Sequence, residues 1–233
     1  MDIKILHLVE GAKKAIGITV VIDVFRAFSM ESYMIAQGAE KIIPVGDCDI
    51  AYKLKEENPD VILAGERHGK ILPGFDVGNS PWELSKMNIE GKTVVHTTSA
   101  GTQGVANACG ASEILCAGLV NAKATAEYIR KKNPENVSLV CMGLEAIAPI
   151  EEDTLCAEYI KGLLLGEIPD MGKEIESLKY TSGAKFFDKE QNDVFPEMDF
   201  HMCTELDKFN FVLRLSKNDY EMGYIENIEV TEE

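Results

Sequence analysis

Positive charge is scarce in this sequence, and so are tryptophan, proline, paired cysteines and long apolar runs. Against 39 Asp and Glu stand 23 Lys and Arg, a formal net charge of −16 over 233 residues. A chain so acidic repels phosphodiester backbones and anionic headgroups at long range, which argues against nucleic-acid binding and against adhesion to a membrane. An anionic substrate would have to be gripped by local cations or a metal. No apolar run approaches the ~20 residues needed to span a bilayer. Residues 1–7 pass straight into an alternating, strand-like pattern without the features of a secretory signal, so a cytoplasmic protein is expected. The six cysteines (Cys48, Cys109, Cys116, Cys141, Cys156, Cys203) are scattered singly, without zinc-site spacing, and read as reduced, mostly buried thiols. With 8 prolines and 19 glycines the chain is neither collagen-like nor of low complexity.

What remains is an ordinary globular composition, 45% hydrophobic and 27% charged. Short β-branched runs alternate with helical patterns. Strands are expected at 16–23, 41–45, 61–64, 93–96, 113–117 and 137–142, and helices at 27–38, 49–57, 102–108 and 121–132, with a short helix starting at Pro81. The strands are nearly continuous apolar runs, which points to an α/β fold with a mainly parallel sheet covered on both faces. After about residue 150 the pattern changes. Residues 152–165 form a strong amphipathic helix, 171–179 suit another, 180–199 have no clear period, and 211–215 read as a last strand before an acidic tail. One domain over 1–233 is expected, a smaller C-terminal portion from about residue 150 being the alternative division.

Four polar clusters begin where an apolar strand ends: Asp23 and Arg26, Glu66 and Arg67, Thr97-Thr98-Ser99, and Glu151-Glu152-Asp153. In open α/β sheets ligands bind outside the carboxyl ends of the strands, so parallel strands would bring these clusters to one crevice. Asp23 could hold a divalent cation and Arg26 grip an oxyanion, or Asp23 could cap the next helix and pair with Arg26. The glycine-punctuated loop from Gly65 to Pro81 carries Glu66, Arg67, Asp76, Asn79 and Ser80, which could line a site or fix turns. Thr97, Thr98, Ser99, Ala100, Gly101 and Thr102 join strand to helix as a candidate anion cradle of free amides and hydroxyls, or as a plain Ser/Thr cap. No Gly-Lys-Ser/Thr follows, so a nucleotide triphosphate is not implied. Glu152 and Asp153 either suit the helix dipole or ligate a metal. The four histidines show no paired metal spacing.

In these segments the sequence resembles the magnesium-dependent 2-phosphosulfolactate phosphatases. The matching stretches are Asp23-Val24-Phe25-Arg26-Ala27-Phe28-Ser29, Gly65-Glu66-Arg67, residues 74–81, residues 97–102, Glu152-Asp153, and Asp199-Phe200 with Cys203 and Asp207, in family order over nearly the whole chain. Met30 follows Ser29 where a second hydroxyl is common in the family. The resemblance implies a three-layer α/β/α fold, bound Mg²⁺, and hydrolysis of (2R)-2-phospho-3-sulfolactate to 3-sulfolactate and phosphate. On that basis Mg²⁺ would sit among Asp23, Glu152 and Asp153, Arg26 and Arg67 would stabilise charge, and Glu66 or Asp76 would handle the proton. Arg26, Arg67, Asn79, Ser80 and residues 97–102 would contact substrate. An aspartyl-phosphate on Asp23 is the alternative to direct attack by water. Two further readings stay open: a phosphatase for another small phosphorylated hydroxy acid, and a non-catalytic anion binder. A homodimer is expected by analogy with other cytosolic enzymes.

Overall fold

The computed structural model describes residues 1–216 and 223–230. Ten strands are present: β1 (Asp2–His7), β2 (Gly17–Ile22), β3 (Lys41–Pro44), β4 (Ile62–Arg67), β5 (Lys70–Ile71), β6 (Thr93–Thr97), β7 (Ala111–Ala117), β8 (Asn136–Cys141), β9 (Phe211–Ser216) and β10 (Tyr224–Glu229). The helices are α1 (Leu8–Lys14), α2 (Ala27–Ala36), α3 (Cys48–Glu57), α4 (Pro81–Leu84), α5 (Gly101–Asn107), α6 (Ala122–Lys132), α7 (Glu151–Leu165), α8 (Gly172–Ser177) and α9 (Glu197–Cys203). The strands form one sheet in the order β1-β8-β2-β7-β9-β10-β3-β6-β4-β5. Two parallel blocks, β1-β8-β2-β7 and β3-β6-β4, are joined through the antiparallel pair β9–β10.

Helices cover both faces, giving the three-layer α/β/α arrangement. Alternation along each strand divides the core: in β2, Val20 and Ile22 pack toward α6 and α7, while Val21 packs toward α2 and α5. Across the second block Val95 and Leu63 face α3, and Val94 and Ala64 face the α2 side. With both faces buried, the strands are continuous apolar runs rather than alternating ones. Helix α2 is buried from Ala27 through Met34, because it packs between the sheet at β3 and β7 and the helices α4, α5 and α9. Helix α7 ends at Gly166, whose φ of 86° suits the left-handed position that stops a helix.

One expectation needs correction. The segment after residue 215 is not simply an acidic tail: β10 pairs with β9 over six residues and touches β3, so the end of the chain lies in mid-sheet. The remaining tail residues, 217–222 and 231–233, lie outside the described residues. The sheet is mainly parallel, as expected, with an antiparallel centre. Three antiparallel pairings in succession, β7–β9, β9–β10 and β10–β3, reverse the second block relative to the first. Sheet twist of about 20–25° per strand, summed over the steps from β2 to β6, turns the second block by roughly 100–125°. That rotation offsets most of the reversal, and the carboxyl ends of β2, β4, β6 and β8 open into one crevice. Among the described residues no helix is long and apolar enough to cross a membrane.

Candidate active site

The crevice ends in a pocket of about 100 Å³ whose wall includes Asp23, Arg26, Glu66, Asn79, Glu152 and Asp153. Each arrives from a different place in the chain. Asp23 follows the last residue of β2, Glu66 stands on β4, and Glu152 and Asp153 occupy the first turn of α7. Ser99 and Ala100 enter from the turn between β6 and α5, and Gly143 and Glu145 from the loop after β8.

Asp23 is 6% exposed, and its Oδ1 accepts the Ala27 N–H at 3.1 Å. Its Oδ2 lies against the Gly101 backbone, where a Cβ would stand 3.0 Å from that oxygen and 2.8 Å from Ala27 Cβ, so only glycine permits the approach. Burial raises the Asp23 carboxyl to about 6, the Ala27 amide opposes the rise, and Glu66 adds to it. Asp153 accepts two backbone N–H groups, Val24 at Oδ1 and Gly143 at Oδ2, each at 2.8 Å, and so ties the end of β2 to the loop after β8. Burial, then the charges of Asp23 and Glu152, push its pKa well up. Burial likewise raises Glu152, which is 2% exposed and whose Oε2 has no hydrogen-bond partner.

Glu66 accepts three hydrogen bonds from within the chain. Oε1 accepts Ser99 N at 2.7 Å, and Oε2 accepts Gly69 N at 2.7 Å and Ser99 Oγ at 3.2 Å. Gly69 has φ of 76°, and a Cβ there would meet Phe195 at 2.6 Å. The expected cradle of free amides is therefore partly occupied. Ser99 N–H serves Glu66, while Thr98 and Thr102 bond each other reciprocally, Thr98 N to Thr102 Oγ1 at 3.0 Å and Thr102 N to Thr98 Oγ1 at 3.2 Å.

The cations are placed unequally. Arg26 is 3% exposed on the pocket wall, its Nη1 donating to Asp199 Oδ2 and to Val194 O, both at 2.8 Å, with its guanidinium 4.9 Å from the Phe195 ring centroid. Asp199 is fully buried and held in turn by Ser80 Oγ at 2.8 Å and Trp82 N at 3.0 Å. Ser80 thus orients Asp199 and caps α4. Arg67 points elsewhere: it donates to Glu66 O, Gly46 O and Thr97 Oγ1, bracing β4 against β6 and the turn at Gly46. Asp76 is also outside the pocket, on the wall of a neighbouring cavity, where it accepts Leu63 N at 2.8 Å and Lys55 Nζ at 3.3 Å. Asn79 does line the pocket, and its buried Oδ1 has no partner.

One pocket cation lay in the segment that shows no period in the sequence. Lys185, in the 3₁₀ turn Ala184–Phe187, lines the pocket with Nζ 5.1 Å from the Phe195 centroid and 5.4 Å from the Phe186 centroid. Neither it nor the bracing role of Asp199 follows from spacing, since both sit in irregular backbone or a short helix that packs through rings. His68, exposed at the mouth, meets Glu145 through Nδ1 at 3.0 Å.

Asp23, Glu66, Glu145, Glu152 and Asp153 outnumber Arg26 and Lys185 on the wall. Buried like charges without compensation are unfavourable, and the orphaned Glu152 Oε2 leaves a strong acceptor unmet. A divalent cation answers both. The one set of three ligand atoms gathered within 4.8 Å among the described residues is Asp47, Cys48 and Asp49, on the surface and away from this pocket. The pocket acids are spaced more widely, which suits an ion that takes one or two carboxylates and fills its other positions with water and substrate oxygens, as Mg²⁺ does.

A covered α/β sheet with such a crevice at its strand ends is the build of an enzyme acting on a small molecule. More narrowly, the chain belongs to the 2-phosphosulpholactate phosphatase family, a family of phosphoric monoester hydrolases, whose model matches residues 4–218. Three relatives each bear the name "Probable 2-phosphosulfolactate phosphatase". The protein of Bacillus subtilis is 34% identical over 213 residues, covering 91% of this chain and 92% of its own. That of Caldicellulosiruptor saccharolyticus is 40% identical over 179 residues, covering 75% and 74%. That of Thermotoga maritima is 38% identical over 151 residues, covering 65% and 64%.

Proposed function

We propose that this protein hydrolyses (2R)-2-phospho-3-sulfolactate to (2R)-3-sulfolactate and phosphate in this pocket, with Mg²⁺ as cofactor. The observation that carries the reading is the buried carboxylate set of Asp23, Glu152 and Asp153 beside Arg26, in a chain of this family. Asp23 and Glu152 would hold the ion, Glu152 through the Oε2 that has no partner, while Asp153, both of whose oxygens accept backbone N–H groups, braces the wall. Bound there, Mg²⁺ would supply Lewis-acid neutralisation of the phosphoryl oxygens.

The chain's own residues account for the rest. Phosphoryl transfer passes through a loose transition state, so positioning and charge matter more than a strong base. Arg26, locked by Asp199 and Val194 through one nitrogen, presents a pre-oriented guanidinium to the equatorial oxygens. Glu66, its oxygens fixed by Ser99 and Gly69, orients the attacking water at the pocket wall and takes its proton late. Asn79 contributes a buried amide whose Oδ1 has no partner in the chain. Arg67, Ser80, Thr97, Thr98 and Thr102 act one step back, holding these groups in place, and Asp76 takes no part.

The test is phosphate release from racemic 2-phosphosulfolactate, 2-phospholactate and phosphoglycolate in Mg²⁺, for wild type and Asp23→Asn. The sulfonated substrate should be turned over fastest, and kcat/KM of the variant should fall by about 10²–10³, as when a preorganised electrostatic group is removed. Wild type that binds the three esters without releasing phosphate would return the anion-binder reading.

A further inference from the structure

Lys185 stands out among the polar groups of the pocket. Among the described residues no carboxylate lies within 4.0 Å of its Nζ, although acids crowd the same wall. Its surroundings are instead the faces of Phe186 and Phe195. Burial pushes its pKa down and Arg26 adds to that, while Glu152, Asp23 and Asp153 act against it from a distance. A half-buried cation on an aromatic shelf, unpaired in a strongly acidic chain, is a site prepared for an incoming anion.

The two pocket cations differ in kind. Arg26 is planar and locked by Asp199, which suits the charge-spreading equatorial oxygens of a phosphoryl group. Lys185 is a compact single charge with three rotatable donors, which suits a monoanionic group of threefold symmetry. The rings beside it would cover a methylene. We propose that Lys185 recognises the sulfonate of the substrate and so sets specificity for the sulfonated ester over its unsulfonated analogue. The proposal rests on the function given above and deepens it.

The experiment compares wild type, Lys185→Met and Lys185→Arg on 2-phosphosulfolactate and 2-phospholactate in Mg²⁺, with calorimetric binding of the product, 3-sulfolactate, as a readout independent of turnover. In Lys185→Met the ratio of kcat/KM values, sulfonated over unsulfonated, should fall about 10–100-fold, the size of a lost charged hydrogen bond. The loss should appear in KM, 3-sulfolactate binding should weaken in parallel, and Lys185→Arg should recover part of both. Equal losses on the two esters would mark a structural or phosphate-holding role and overturn the assignment, as would an unchanged ratio. Wild type that prefers the sulfonated ester while Lys185→Met keeps that preference sinks the Lys185 assignment alone. Wild type that neither binds 3-sulfolactate nor favours the sulfonated ester sinks the function with it.

Discussion

Asp23 shows most plainly what the pocket costs the fold. Its carboxyl is raised from 3.8 to about 6 by burial first and by Glu66 among its neighbours, and Glu152 and Asp153 are raised beside it. In this window the folded chain holds protons that the unfolded chain has released. The cluster's contribution to stability without metal is therefore fullest below about pH 4 and is lost as pH rises from there through about 6. Asp23→Asn removes one ionisation from the cluster. In EDTA at pH 8 it should raise Tm by about 3–6 °C, equivalent to about 1–2 kcal/mol for a chain of this size. At pH 4.5 the gain should be clearly smaller than at pH 8. Mg²⁺ should stabilise wild type more at pH 8 than at pH 5, since it binds ionised carboxylates. Thermal melts across pH check this; a variant less stable than wild type at pH 8 would contradict it.

Among the elements, β10 is the one whose removal the sheet can least absorb. Ile225 is 1% exposed and stands at the junction of β10 with both Leu215 of β9 and Ile42 of β3, in the same core as α2. Ile225→Ala should cost about 2–4 kcal/mol, measured by urea unfolding, because it empties a position where the two halves of the sheet meet. A cost below about 0.5 kcal/mol, the range of surface substitutions, would mean that β10 is not part of the core. This strand was hard to read because Tyr224–Glu229 carries two glutamates in six residues. In the fold Glu226 is matched by Arg214, whose Nε donates to it at 2.7 Å. The strands from β2 to β8 were legible because burial on both faces writes itself as continuous apolar runs. Asp23, Glu66 and Glu152 were legible for a related reason, since a polar residue that ends such a run marks the mouth of the sheet. Arg67 and Asp76 share that position, yet their hydrogen bonds turn inward to Gly46 and Leu63, a choice of direction that spacing does not encode. Lys185 left no signal, and Asp199 stood out only through the family resemblance and without a role, because 3₁₀ turns and ring contacts among Phe25, Phe186, Phe195 and Phe200 have no period.

At the scale of the whole molecule, twist decides where the chemistry sits. The antiparallel centre of the sheet reverses one block, the accumulated twist brings its strand ends back, and residues from Asp23 to Phe195 meet around one small cavity. The chain around that cavity has a net charge of −16 and would repel a multiply charged anion were its cations not gathered there. On the proposed reading the reaction rests on local compensation by Arg26, Lys185 and a divalent ion on the pocket acids. The most direct test is phosphate release from 2-phosphosulfolactate by protein stripped with EDTA and then titrated with Mg²⁺, for wild type and Glu152→Gln. Stripped wild type should be inactive and should recover with added Mg²⁺, and Glu152→Gln should need about 10–100-fold more Mg²⁺ for half-maximal rate, the loss expected for a weakened metal site. Full turnover in EDTA, or a Glu152→Gln variant with an unchanged Mg²⁺ requirement, would contradict the account.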